Sequence, residues 1–237
     1  MKTLGVIGGA GPMATAYFME QIISMTKAAT DQDHIRILVD NNPSIPDRTK
    51  YILNNSAPNP GPVFLSMGQG LVDSGASVLA IPCITASYFI PELEEKLGVK
   101  IVDAIGGTID FLHNKDIDTV GLMATDGTVK TGLFQSRLQA AGIKVILPDA
   151  GDQKIVMETI YDRVKAGLPV NPSKLQRVRN NLALYGAKVS ILGCTELSVA
   201  AMDNPSALGL DHGFLDAMKI MAASAITECG AALKEDL

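Results

Sequence analysis

Two segments of this chain are near copies of each other, and each ends an apolar run at a cysteine. Gly75-Ala76-Ser77-Val78-Leu79-Ala80-Ile81-Pro82-Cys83-Ile84-Thr85 aligns without a gap to Gly186-Ala187-Lys188-Val189-Ser190-Ile191-Leu192-Gly193-Cys194-Thr195-Glu196, a register of 194 − 83 = 111 residues. A second pair, Thr3 to Gly11 and Thr119 to Gly127, repeats at 121 − 5 = 116 residues. Either match alone is weak among Val- and Gly-rich strands, but two at nearly one offset describe a duplicated architecture. Each half opens with a strand running into a turn and closes with a strand running into a cysteine. Whatever one half forms, the other must form again.

The halves alternate β-branched runs with amphipathic stretches, the pattern of parallel sheets joined by right-handed helical crossovers. Strands are expected at Leu4–Gly8, Ile35–Asp40, Val78–Pro82, Lys100–Val102, Thr119–Ala124, Lys144–Leu147 and Val189–Gly193, with a last helix over Gly213–Ala232. The expected class is α/β, with two pseudo-symmetric domains. Each is a parallel sheet flanked by helices, and the active site is expected in the cleft between them. The domain boundaries expected are 1–104 together with the C-terminal helix 211–237, and 105–210. A chain of 237 residues can bury two modest cores of this kind.

Composition removes several function classes. The net charge is −5 and no basic run or stripe stands out, so a nucleic-acid surface is not expected. No segment has the apolar continuity of a membrane span. The apolar start is broken early by Gly8, Gly9, Gly11 and Pro12, so Leu4–Ile7 reads as a first strand rather than a leader. Cys83, Cys194 and Cys229 are an odd, sparse set without paired spacing or a histidine cluster. That argues against a disulfide framework or a zinc site and for a reducing, cytoplasmic setting.

The chemistry is expected where strands end. A free cysteine is by default a small core residue, which suits Cys229 in its apolar late helix. Cys83 and Cys194 differ, because each leaves a buried strand and meets the first turn of a helix. Unpaired backbone N–H groups there stabilise a thiolate or a bound carboxylate. Thr85, Ser87 and Thr195 add hydroxyls that serve equally as helix caps, and Glu196 is placed to orient or deprotonate its neighbour. Gly9-x-Gly11-x-x-Ala14 also satisfies a dinucleotide fingerprint, with Asp40 where a ribose-binding acid would stand, so a nicotinamide or flavin enzyme is a rival reading. Arg48 lies in the polar loop Asp40–Thr49, where a bidentate carboxylate clamp would sit. Lys165 closes a helical run, where its charge complements the helix dipole.

Taken together, Gly5–Pro12, Asp40-Asn41-Asn42-Pro43 with Ile45–Thr49, Pro82-Cys83 and Leu192–Leu197 resemble the aspartate/glutamate racemase family, in its cofactor-independent aspartate racemase branch. The resemblance runs over nearly the whole chain. It implies two α/β domains, commonly a homodimer, with no pyridoxal phosphate or metal. It implies a small acidic amino acid as substrate and Cys83 and Cys194 as the two acid/base residues. Arg48 and Lys165 would bind the side-chain carboxylate. The resemblance also places Gly9, Met13, Thr49, Ile84, Thr85, Thr125, Thr195 and Glu196 around the substrate. Where many relatives have Asn, Thr and then His after the first cysteine, this chain has Ile84, Thr85 and Ser87. That exchange removes a polar substrate contact and a group that would support the first thiolate. A decarboxylase or isomerase acting on a small dicarboxylate, and a non-catalytic binder of acidic amino acids, are the other readings such a chain allows.

Overall fold

The computed structural model describes residues 1–54 and 56–235. The chain divides into two compact units, Met1–Ala104 with the segment from Lys219 onward, and Ile105–Met218. The first unit holds four parallel strands: β1 (Leu4–Gly8), β2 (Ile37–Asn41), β3 (Val78–Ala80) and β4 (Lys100–Ile101), in the order β2-β1-β3-β4. The second holds β5 (Thr119–Met123), β6 (Lys144–Ile146), β7 (Val189–Leu192) and β8 (Phe214–Asp216), in the order β6-β5-β7-β8. Adding four to each number of the first order gives the second, so the duplication read from sequence recurs in the topology.

Every residue of β1, β3 and β7 is buried, as expected of parallel strands covered on both faces. Ile7, Phe64, Leu79 and Leu93 centre the core on one face of the first sheet, and Val156, Leu175, Val178 and Leu182 do so in the second. Helix Pro12–Met25 starts with proline at its first position, where a missing N–H costs nothing. The C-terminal segment is tied into the first unit by backbone bonds from Lys2 N to Cys229 O (2.9 Å), Lys27 N to Ala232 O (2.8 Å) and Lys234 N to Met25 O (2.8 Å).

Three expectations are corrected. The stretch expected to open the last helix is instead β8, paired in register with β7 (Ser190↔Phe214, Ile191↔Leu215), and the helix runs over Ala217–Glu228. An unbroken apolar run does not by itself separate a short buried strand from the first turn of a helix. Because that ladder binds residues 214–216 to the second sheet, the returning segment starts at Lys219 and not at 211. Finally, the loop expected through Arg48 ends earlier. Asp47 Oδ1 accepts a hydrogen bond from Lys50 N (2.8 Å), capping a short helix over Arg48–Leu53.

Candidate active site

In the order β2-β1-β3-β4 the direction of winding reverses between β1 and β3, and ligands of such sheets bind beyond the carboxyl ends of the strands at that point. The same reversal falls between β5 and β7. The segments just beyond these strands are the repeated ones. Gly9 comes after β1 and its counterpart Thr125 after β5, at 125 − 9 = 116, while Cys83 and Cys194 come after β3 and β7.

In the first unit Gly9 has a φ of +92°, and a Cβ there would stand 2.2 Å from the carbonyl carbon of Asn42. The close approach that this glycine permits is therefore taken up by the chain's own backbone, not left for a pyrophosphate. The Gly9 N–H donates to Thr15 Oγ1 (3.0 Å). Arg48 is buried and donates to the carbonyls of Ala10 (2.6 Å) and Pro46 (3.2 Å), so its guanidinium pins together the turns after β1 and β2. Thr49 is buried beside it in the chain, whereas Met13, at the start of the Pro12–Met25 helix, is 58% exposed. Cys83 is buried and precedes a 3-10 helix over Ile84–Tyr88, in which Ile84, Thr85 and Ser87 are also buried.

The second unit places a carboxylate against its thiol and an ammonium on that carboxylate. Cys194 is the N-cap residue of helix Thr195–Asp203. Its S–H donates to Glu196 Oε2 at 3.0 Å, and the Thr195 hydroxyl lies 3.4 Å from the same oxygen. Lys165 Nζ donates to Glu196 Oε1 at 2.7 Å and lies 5.5 Å from the centre of the Tyr161 ring. In both units the cysteine itself holds the N-cap position, so Thr85 and Thr195 fall inside the first turn and are not its caps. Glu196 in that turn faces the positive end of the helix dipole. Thr125 caps its own short helix, accepting from Thr128 N at 3.2 Å.

Tyr161, Gln153 and a widened helical turn escape sequence reasoning. The helix Ala150–Glu158 passes into a π-helix over Thr159–Val164, and Lys165 N donates to Ile160 O at 3.0 Å. Each residue accommodated by a π-turn rotates the chain beyond it by about 100° relative to an α-helix, which sets the direction Lys165 takes. Gln153 Nε2 holds the Ala124 carbonyl (3.0 Å) and Asp126 Oδ1 (2.8 Å) at the end of β5. No local pattern announces a π-turn, and the isolated Gln and Tyr carry no motif. Among the described residues no group of His, Cys, Asp and Glu is placed to hold a metal ion, and no helix is long and apolar enough to cross a membrane.

Burial above all, then the Glu196 charge and the hydrogen bond to it, pushes the Cys194 thiol well above its ordinary pKa, while Lys165 acts in the opposite sense. A folded thiol that holds its proton more tightly than the unfolded one contributes stability below the unfolded pKa of about 8.5. That stability is lost as pH rises above it. Urea unfolding measured upward from neutral pH should show stability falling by up to about 1.4 kcal/mol per pH unit for this thiol. Cys194→Ser should remove this share and leave the contribution of Cys229, which burial also raises. An unchanged slope in the variant would mean that Cys194 does not titrate on unfolding.

The fold has known counterparts. The structure is similar to an aspartate racemase from Picrophilus torridus, with a TM-score of 0.86 and 29% identity, covering 99% of this chain and 96% of that one. A glutamate racemase from Francisella tularensis, in complex with D-glutamate, shares the fold at a TM-score of 0.65 and 17% identity, over 96% of this chain and 81% of that one. A glutamate racemase from Shewanella woodyi is 25% identical over 154 residues, which are 65% of this chain and 57% of that enzyme's length. The Asp/Glu/hydantoin racemase family profile matches residues 7–225, from within β1 to within the last helix and through both repeated cysteine segments. On that match the chain belongs to the Asp/Glu/hydantoin racemase family.

Proposed function

We propose that this chain is a cofactor-independent racemase of aspartate, or of aspartate and glutamate, working by 1,1-proton transfer between two cysteines. The observation that carries the reading is a buried thiol repeated after β3 and after β7, the second bonded to a carboxylate that also holds an ammonium. The likeness to the Picrophilus torridus aspartate racemase supports the choice of substrate.

In this reading the thiolate of one cysteine takes the α-proton and the other thiol delivers a proton to the opposite face. The roles exchange in the reverse direction. The carbanion is a high-energy species, so donors must be aimed at the α-carboxylate where charge develops. The start of the helix after Cys194, ahead of the bond from Leu197 N to the Cys194 carbonyl (2.9 Å), supplies N–H donors, as do the Thr85, Thr125 and Thr195 hydroxyls. Arg48, its plane fixed by the Ala10 and Pro46 carbonyls, and Lys165 bind the side-chain carboxylate.

The test is incubation with L- and D-aspartate, glutamate, alanine and serine in deuterated water, without added cofactor. Proton NMR reads α-deuterium and chiral chromatography reads inversion. Aspartate should exchange and racemise. A second reading, a binder of acidic amino acids that performs no chemistry, is favoured by the apolar Ile84 directly after Cys83. Thermal stabilisation by aspartate with no deuterium uptake would establish it in place of the first.

A further inference from the structure

A cavity of about 680 Å³ in the second unit is lined by none of the residues placed around the substrate above. Glu158, Asp162 and Arg163 bound it on the run into and through the π-turn. Leu168 and Val170 bound it on the connection beyond, and Lys174 on the helix Pro172–Leu184. Its volume falls within the roughly 300–1,000 Å³ of small-molecule sites. The connection is anchored to the π-turn, because Leu168 N donates to Arg163 O at 2.9 Å and Gly167 N donates to Val164 O at 3.0 Å. Backbone bonds therefore join two of its walls.

Those walls carry two carboxylates and two cations that make little use of one another. Among the described residues, the Asp162 carboxylate and the Arg163 guanidinium have no hydrogen bond or ion pair. Lys174 Nζ stands 3.7 Å from Glu158 Oε2, too far for a direct hydrogen bond. The duplicated scaffold supplies an internal control. Helices Gly61–Asp73 and Pro172–Leu184 have 13 residues each and begin 172 − 61 = 111 residues apart, so Val63 is the counterpart of Lys174 (174 − 111 = 63). The shared fold thus does without a cation at this position. Between the charges, Leu168 is 49% exposed and offers apolar surface beside the half-buried Val170.

An ion of one sign entering this cavity meets its like as well as its opposite. A ligand carrying both signs satisfies both, and the charge that a simpler ligand leaves unpaired acts against it. We propose that the cavity is a binding site for a free zwitterionic α-amino acid with an apolar side chain. Asp162 and Glu158 hold its ammonium, Arg163 and Lys174 hold its carboxylate, and Leu168 and Val170 cover its side chain. A third charge would find no partner of its own, which sets this ligand apart from aspartate. The assignment goes beyond the racemase reading and stands independently of it.

The experiment is calorimetric titration of the whole chain with L-leucine and with its two single-charge analogues, 3-methylbutylamine and 4-methylpentanoate. Leucine should bind roughly tenfold more tightly than either analogue. Asp162→Asn should weaken leucine and the amine roughly tenfold and leave the acid unchanged, whereas Arg163→Met should weaken leucine and the acid and leave the amine unchanged. Both changes are at exposed positions, so each variant should melt within about 2 °C of wild type, which separates lost binding from lost fold. The crossed pattern assigns one charge of the ligand to each residue. Absence of leucine binding, leucine binding no tighter than that of the analogues, or leucine binding that survives both substitutions overturns the inference. None of these outcomes touches the racemase reading, which fails separately if wild type exchanges no acidic amino acid.

Discussion

Replacing Cys194 by serine should lower aspartate racemisation by roughly 10³–10⁴-fold, and Cys83→Ser should do the same. The substitution changes one atom. A serine hydroxyl can still donate to Glu196 Oε2, the partner that Cys194 has now, so β7 and the helix beyond it keep their places. What is lost is acidity: a hydroxyl is a far weaker acid than a thiol and does not supply a base near neutral pH. Each variant keeps one thiol and therefore one face of the α-carbon. Deuterium from solvent should enter one enantiomer of aspartate without inversion, and the favoured enantiomer should be opposite in the two variants. That reversal distinguishes two bases from one. If either variant racemises aspartate at the wild-type rate, the two-thiol mechanism is wrong. If both exchange the same enantiomer, the thiols do not serve opposite faces.

How much of the fold and site is legible in the sequence depends on the range of the interactions involved. The repeat locates both thiols and the turns at Gly9 and Thr125, because strand termini carry strong local signals in apolar periodicity and small residues. The same repeat could have supplied β8. A strand comes after β3 in the first half, so one is due after β7, yet Phe214-Leu215-Asp216 merges into an apolar helix and gives no boundary of its own. The sequence reads Arg48 as a carboxylate clamp in a loop. The structure adds a second occupation, since its guanidinium joins carbonyls 38 and 2 residues away. The ion pair of Lys165 with Glu196 spans 31 residues and depends on a π-turn, a backbone feature without a residue signature. Glu196 beside Cys194 is visible as a pair in the sequence, but its division between thiol and ammonium is not.

Gly9→Ala should be the most damaging single change to the fold around this site. The added methyl carbon would lie 2.2 Å from both the carbonyl carbon and oxygen of Asn42 and 2.5 Å from its nitrogen, all backbone atoms that cannot rotate away. The φ of +92° adds strain for any residue with a side chain. Together these should cost about 2–5 kcal/mol, lowering the melting temperature of a chain this size by roughly 5–20 °C. Gly98→Ala is the control. Its φ is also positive, at +65°, but nothing lies within 4 Å of the new carbon, so it should cost only about 1 kcal/mol. The difference between the two variants isolates the contact with Asn42. That contact is linked to function through a short chain of bonds. Asn42 N donates to Gly8 O at 3.3 Å, and the next carbonyl beyond Gly9, that of Ala10, receives the Arg48 guanidinium at 2.6 Å. Backbone that moves to admit a methyl group at Gly9 must therefore carry the Ala10 carbonyl with it and turn Arg48 out of plane. Gly9→Ala that remains folded at low temperature should show a raised KM for aspartate, while Gly98→Ala should not. Equal melting temperatures for the two variants would show that the turn after β1 yields freely, and that its glycine is not what holds Arg48 in position.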